Sequence, residues 1–252
     1  MYDAIILAGG ENNEPLVHYT SQPYEAMIDI SGKPMVEFVA RALAACPQIS
    51  RIFVAGPPEE LAKCSFPEQT VIVAGGRTIM DTISLGMKAL EHERLTLVVT
   101  ADIPLLTPAA IEDFLAQCAG VQADLYYPIV ARSDHERRFP GNQRTYARLR
   151  EGTFTGGNIF LVNPRIVPHC MEVAERIFAN RKNPFKLCCQ LGWTFVVKFV
   201  LGILKLNQVE KRAGEILGIQ GAVIRSQYAE LGIDVDKPSD LELVRNCFSQ
   251  GC

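Results

Sequence analysis

Several common signatures of metal, redox and phosphate sites are missing from this chain of 252 residues. Its eight cysteines include no CxxC pair, and its four histidines form no HExxH or similar pair, so no zinc site is predicted. The GxGxxG loop is absent, and Gly32-Lys33-Pro34 lacks both the upstream glycine and the Ser/Thr of a P-loop. Any bound metal is therefore expected to have oxygen ligands.

The chain also lacks a basic excess and a long apolar run. Its formal net charge is −3, so it has no broad positive field for a phosphate backbone, and nucleic acid is not a predicted partner. The most apolar stretch, residues 195–206, contains Lys198 and Lys205. Because it is far shorter than the roughly 20 residues of a membrane span, we expect a core helix and no membrane association.

No secretory leader is visible, because Met1 is followed almost directly by an apolar strand. We therefore expect a cytoplasmic protein whose cysteines are reduced thiols. The adjacent Cys188 and Cys189 allow a redox switch or metal site, but buried apolar filler is the favoured interpretation.

Short apolar runs bounded by glycine or proline alternate with segments of helical period. This pattern predicts an α/β fold with three αβα layers, in which helices cover both faces of a mostly parallel sheet. Residues 4–7 form the first predicted strand and 97–100 a central one, whereas 132–150 form a basic loop. Residues 164–218 carry helical signals only, so we expect a helical insertion within a single domain spanning 1–252.

A glycine pair ends the first predicted strand, in the sequence Leu7-Ala8-Gly9-Gly10. Two residues without Cβ allow backbone N–H groups to approach and cradle a polyphosphate. An ordinary tight turn is the alternative.

Acidic residues follow two other predicted strands. Asp102 stands at the carboxyl end of the central strand, where ligands of open α/β sheets bind. Asp234 and Asp236 alternate with Val235, so both carboxylates project to one side of an extended segment. These hard oxygen ligands suit Mg²⁺ bridged to phosphate. The alternative for Asp236 is a helix cap ahead of Pro238.

Five motifs together resemble those of MobA-like NTP transferases in order and spacing. They are Leu7-Ala8-Gly9-Gly10, Gly32-Lys33-Pro34-Met35, Asp102-Ile103-Pro104-Leu105, Thr155-Gly156-Gly157-Asn158 and Asp234-Val235-Asp236-Lys237-Pro238-Ser239-Asp240-Leu241. The resemblance omits only the helical insertion.

This resemblance implies a GT-A-like nucleotidyltransferase fold and a defined reaction. A nucleoside monophosphate would pass from an NTP to a small phosphorylated acceptor, with release of pyrophosphate. It also implies that Asp102 and Asp236 hold the catalytic Mg²⁺ and that residues 7–10 bind the nucleotide. Gly75-Gly76-Arg77 resembles a segment that approaches the base or α-phosphate, although a turn with a solvated arginine is equally compatible with it.

A run of arginines leads up to Gly156-Gly157-Asn158, comprising Arg137, Arg138, Arg144, Arg148 and Arg150. Guanidinium groups bind phosphate bidentately, so Arg144 and Arg148 are predicted ligands of the acceptor. Gly157 and Asn158, which follow this run, are predicted to bind the acceptor as well. A solvated basic loop is the alternative.

The chain departs from the family where catalytic members carry cations. Glu11-Asn12-Asn13-Glu14 follows the glycines in place of a small residue and an arginine, and Glu25-Ala26-Met27 stands where Lys-Ala-Leu is expected. Loss of such cations weakens transition-state stabilisation. Two hypotheses follow: an active Mg²⁺-dependent nucleotidyltransferase, or a non-catalytic nucleotide- or sugar-nucleotide-binding protein of the same fold. The sequence leaves the base, the acceptor and the oligomeric state open, and a homo-oligomer is compatible with it.

Overall fold

A nine-stranded sheet organises the protein, as seen in a computed structural model that describes residues 1–13, 15–180 and 192–250. The strands are β1 Tyr2–Leu7, β2 Asp29–Ile30, β3 Lys33–Pro34, β4 Ile49–Gly56, β5 Thr70–Ala74, β6 Thr96–Thr100, β7 Leu125–Ala131, β8 Ala147–Leu149, β9 Gly152–Gly156, β10 Ile159–Val162 and β11 Gly221–Ser226. The helices are α1 Met35–Ala44, α2 Pro58–Leu61, α3 Ile79–Ala89, α4 Pro108–Ala119, α5 Arg132–Arg138, α6 Val167–Asn180, α7 Trp193–Val200, α8 Leu206–Leu217 and α9 Pro238–Gln250.

The large sheet has the order β5-β4-β1-β6-β10-β7-β9-β8, with β11 also paired to β7, while β2 and β3 form a separate hairpin. Only β10 and β9 run against the other strands of the large sheet, and the remaining pairings are parallel. This mixed, mostly parallel sheet is flanked by helices, so the predicted α/β fold class is confirmed.

Apolar side chains of β1 alternate between two cores. Ala4 and Ile6 belong to a cluster that includes residues of α1 and α4, whereas Ile5 packs with residues of α3 and α6 on the opposite face. Successive residues of a strand point to opposite faces, so a strand that is apolar throughout needs a helical layer on both sides. This burial gives the three-layer architecture.

Parallel pairing brings several strand ends to one edge of the sheet. Leu7, the last residue of β1, lies opposite Ala55 of β4 and Thr100 of β6. The segments that begin at Ala8, Gly56 and Ala101 therefore emerge side by side, and they carry most of the predicted site.

The expectation of a core helix at residues 195–206 is wrong in extent and in burial. Helix α7 spans Trp193–Val200 and ends before Gly202, whose φ of +67° suits glycine. Trp193 and Val200 are 66% and 77% exposed, while Phe195 packs beside a small cluster around Phe154. A segment that is mainly apolar has no amphipathic pattern to show which face is buried. The high hydrophobicity of residues 195–206 therefore led to a prediction of more burial than the structure shows.

The predicted basic loop at 132–150 contains helix α5 and strand β8. In α5, Arg132 pairs with Glu136 at 2.7 Å and Arg137 with Asp134 at 2.9 Å, while His135 is fully buried. Ion pairs at three- and four-residue spacing stabilise a polar helix that has no apolar stripe. The helix was therefore missed.

Helices α6, α7 and α8 lie between β10 and β11 in the chain, and we propose that residues 164–218 form a helical insertion in the single domain 1–252. None of the helices in the described ranges is long and apolar enough to cross a membrane.

The expectation of reduced thiols fits Cys46, Cys64, Cys118 and Cys170, but Cys247 is disulfide-bonded, a pairing that spacing along the chain does not reveal. Cys188 and Cys189 lie outside the described residues.

Candidate active site

The turn after β1 leaves room around its two glycines. The N–H of Ala8 still donates to the Ala55 carbonyl at 2.8 Å, and beyond it Gly9 and Gly10 are exposed. A Cβ added to Gly10 would lie 3.0 Å from Oε2 of Glu25, the end of a flexible side chain. A ligand therefore has access to the backbone of Gly9 and Gly10, the condition that a phosphate cradle needs.

A second glycine segment lies beside this turn. The N–H of Gly75 donates to the Gly56 carbonyl at 2.9 Å, and that of Gly76 donates to Oγ1 of Thr82 at 3.0 Å. A Cβ on Gly56 would approach the Ala8 carbonyl oxygen to 2.7 Å, so only glycine allows this packing. Gly56 ends an apolar strand, and Gly9 comes shortly after another, a shared signal that sequence reasoning overlooked.

Three carboxylates meet at the same edge of the sheet. One carboxylate oxygen each of Asp102, Asp234 and Asp236 lies within 4.8 Å of the others. The backbone holds them there, because the N–H of Val235 donates to the Asp102 carbonyl at 2.9 Å and the Val235 side chain is fully buried. Asp234 and Asp236 flank this anchor.

The environment of Asp102 favours a cation. Burial raises the pKa of the Asp102 carboxyl group, and the Asp236 carboxylate adds to the rise, although the Thr100 hydroxyl donates a hydrogen bond that opposes it. Asp102 as a whole residue is partly exposed, but its carboxylate group has lost most of its contact with water. A divalent ion between the two carboxylates would relieve both unfavourable effects.

Arg144 is the cation that contacts this acidic group. It forms an ion pair with Asp234 and also donates to the Asp234 carbonyl at 3.4 Å. Its side chain is only 11% exposed.

The other arginines of the predicted acceptor site lie elsewhere. Arg148 sits on β8, and its Nε would be 3.1 Å from a Cβ added to Gly202. Arg137 pairs with Asp134, and Arg138 lies over the Phe139 ring at 5.5 Å. These contacts bring Arg144, but not Arg148, to the carboxylates.

Gly157 and Asn158 lie against the backbone of Leu231, a few residues before Asp234 in the chain. The N–H of Asn158 donates to the Leu231 carbonyl at 2.8 Å, and its carbonyl accepts from the Thr100 N–H at 3.1 Å. A Cβ on Gly157 would lie 2.8 Å from Cγ of Pro128 and 3.2 Å from the Leu231 carbonyl oxygen. Close packing explains the glycine. Arg77 is exposed.

Glu25 lies beside the turn of Gly9 and Gly10. Its N–H donates to the Gly10 carbonyl at 3.0 Å. Burial raises the pKa of Glu25 to about 7, and the charges of Asp102 and Asp236 contribute to the rise. A carboxylate thus lies beside the glycine turn, close enough to the metal-ligand candidates to sense their charge.

This shift predicts a pH dependence of stability. Between the ordinary pKa of 4.5 and about 7, folded Glu25 keeps a proton that the unfolded chain releases. The free energy of unfolding therefore falls as pH rises through this window. After allowance for the partial exposure of Glu25, the loss is about 1–2 kcal/mol.

Glu25→Gln is expected to be more stable than the parent at pH 8 and similar to it at pH 4.5, measured by urea unfolding. The exposed Glu59→Gln serves as control. An equal gain in the free energy of unfolding for Glu25→Gln at both pH values would contradict a raised pKa of Glu25.

The residues present fit a divalent cation such as Mg²⁺. The donors are carboxylate oxygens, they converge within 4.8 Å, and burial raises the pKa of Asp102 despite the charge of Arg144 nearby. Asp102 and Asp236 would hold the ion, since Asp234 is paired with Arg144.

The family model described as the MobA-like NTP transferase domain matches residues 4–183, more than half of the chain. The chain therefore belongs to the MobA-like NTP transferase family, and the resemblance found in the sequence is confirmed. A search of curated proteins finds no match.

Solved structures agree with this assignment. A hypothetical transferase from Thermus thermophilus is 37% identical, with a TM-score of 0.82, and the match covers 95% of this chain and 99% of that one. The CMP:2-keto-3-deoxy-manno-octonic acid synthetase in complex with CTP gives a TM-score of 0.65 at 15% identity, with 100% of both chains covered. The 4-diphosphocytidyl-2C-methyl-D-erythritol synthase of Anaerococcus prevotii gives 0.60 at 12%, covering 99% and 96%. The last two show the shared nucleotidyltransferase fold.

Proposed function

We propose that this protein is a Mg²⁺-dependent nucleotidyltransferase, which transfers a nucleoside monophosphate from an NTP to a small phosphorylated acceptor and releases pyrophosphate. The observation that carries the proposal is the convergence of Asp102 and Asp236 at the sheet edge from which the Gly9-Gly10 turn also emerges. A neighbour in fold was solved with CTP, so CTP is the first nucleotide to test.

In the proposed reaction, a phosphate oxygen of the acceptor attacks the α-phosphorus of the NTP. A new P–O bond forms, the bond from the α-phosphorus to the bridging oxygen breaks, and pyrophosphate leaves. When bound, the cation would neutralise phosphate charge during this displacement. The N–H groups of Gly9 and Gly10 would bind phosphate oxygens, and residues 7–8 and 75–77 would line the nucleotide.

Arg144 is the proposed acceptor ligand that the contacts support best, because its partly buried guanidinium lies beside Asp234. A planar guanidinium binds phosphate bidentately, which would orient the attacking oxygen. Gly157 and Asn158 remain proposed neighbours of the acceptor. Arg148 is a weaker proposal, given its packing against Gly202.

One observation favours a second candidate function, a nucleotide- or sugar-nucleotide-binding protein without catalysis. Oε2 of Glu25 would lie 3.0 Å from a Cβ on Gly10, so above about pH 7, where this carboxyl group ionises, a negative group stands where a triphosphate would need attraction. Such a protein would bind its ligand and release no pyrophosphate.

Pyrophosphate release distinguishes the two. The four NTPs with Mg²⁺ are first compared by thermal shift, because a ligand of the native state raises apparent stability. The NTP that binds is then incubated with a panel of sugar phosphates and other small phosphate monoesters. Release of pyrophosphate with one acceptor is expected. Binding without release across the panel would favour the binding protein, and no NTP binding would contradict the transferase and leave only a sugar-nucleotide-binding protein.

A further inference from the structure

Three contacts join residues 142–144 to residues 234–240, which carry the aspartates and run into α9. The amide nitrogen of Asn142 donates to Oδ1 of Asp240 at 2.9 Å. Lys237 Nζ donates to the Gln143 carbonyl at 3.1 Å, and Arg144 pairs with Asp234. Arg144, the proposed acceptor ligand, thus belongs to three consecutive residues that each contact the segment 234–240.

Asp240 lies at the centre of these contacts. It is fully buried in the first turn of α9. Its Oδ1 accepts from Asn142, and its Oδ2 accepts the backbone N–H of Asp236 at 3.3 Å. A buried carboxylate is costly unless hydrogen-bonded, so both donors are held to it and are displaced only at considerable cost.

The second of these bonds reaches the proposed metal ligand directly. On its other side the same segment is fixed by the Val235 N–H, which donates to the Asp102 carbonyl. Asp236 is exposed, but its backbone is fixed because the N–H groups of Val235 and Asp236 both donate hydrogen bonds. Outer hydrogen bonds of this kind orient metal ligands in proteins.

We propose that Asp240 is a positioning residue of the metal site, which holds Asp236 for the divalent cation and couples it through Asn142 to the segment that carries Arg144. The inference rests on the proposed function, since it assumes that Asp102 and Asp236 bind the cation. A helix-terminal role alone would affect stability without affecting metal affinity in the folded protein.

The test is Mn²⁺ binding to the full chain, measured by calorimetry under conditions where each variant is folded. Asp240→Ala is expected to weaken Mn²⁺ binding about 10- to 100-fold. Asp240→Asn should restore most of the affinity, because its amide oxygen still accepts the Asp236 N–H.

Asp3→Asn is the matched control, because it should destabilise the protein at a position remote from the metal site. Asp3 is 1% exposed at the start of β1, where it accepts from Arg51 at 2.7 Å and contacts His92 at 2.8 Å. This variant should lose stability and keep the Mn²⁺ affinity of the parent.

Equal Mn²⁺ affinities of the parent and a folded Asp240→Ala would overturn the positioning role and leave the proposed function standing. If Asp240→Ala does not fold, Asn142→Ala is measured in its place, since it removes the hydrogen bond to Oδ1 of Asp240; unchanged affinity there would overturn the proposed coupling through Asn142. A parent that binds no Mn²⁺ would overturn both the inference and the proposed metal site.

Discussion

Asp102→Asn is expected to abolish Mg²⁺-dependent nucleotide binding without loss of stability. Asparagine keeps the shape and still accepts from the Thr100 hydroxyl, but it removes the charge that a cation needs. Because outer hydrogen bonds to ligands already contribute 10- to 100-fold, a direct ligand should cost at least about 100-fold in affinity. Burial and Asp236 raise the pKa of Asp102, so removal of its charge should leave the free energy of unfolding unchanged or higher.

The measurement is calorimetric titration of the NTP with Mg²⁺, together with urea unfolding of the same samples. Asp236→Asn should show the same loss of binding, and Glu112→Gln, an exposed change on α4, should show none. Parent-like affinity in both aspartate variants would remove these residues from the metal site.

Glu25→Lys is expected to tighten NTP binding by about tenfold or more, because it replaces repulsion with attraction near the phosphates. The position of the side chain supports this, since Oε2 of Glu25 would lie 3.0 Å from a Cβ on Gly10. With a known acceptor, the rate of pyrophosphate release should also rise.

The affinities of the parent, Glu25→Gln and Glu25→Lys are compared at pH 8, above the pKa of Glu25 of about 7, so that the parent side chain is ionised. Saturating Mg²⁺ prevents competition between lysine and the metal from obscuring the result. Glutamine should lie between the other two, since it removes a charge without adding one. An affinity of Glu25→Lys equal to or below that of the parent would show that residue 25 does not face the bound phosphates.

The sequence was sufficient to predict that the strand ends carrying Gly9 and Asp102 meet at one edge of the sheet. Ile5, Ile6, Val98 and Val99 belong to apolar runs that only a sheet buried on both faces accommodates. Once these strands are parallel, their carboxyl ends must meet. Gly9 and Asp102 then follow Leu7 and Thr100, which are paired in register.

Contacts between side chains distant in the chain could not be predicted in this way. The Asp234 partner of Arg144 is 90 residues away, and the Asp240 partner of Asn142 is 98 residues away. No periodicity distinguishes Arg144 from Arg148, yet one pairs with an aspartate and the other packs against Gly202. Charge pattern gives the composition of a loop, whereas the path of the backbone decides which charges meet.

The most direct test of the central claim is a crystal structure grown with Mn²⁺ and a bound NTP, or a non-hydrolysable analogue. If this claim holds, a Mn²⁺ anomalous peak lies about 2.2 Å from carboxylate oxygens of both Asp102 and Asp236, with the phosphates against the backbone of Gly9 and Gly10. A nucleotide bound at that turn with its metal held by other residues, or bound elsewhere on the protein, would contradict it.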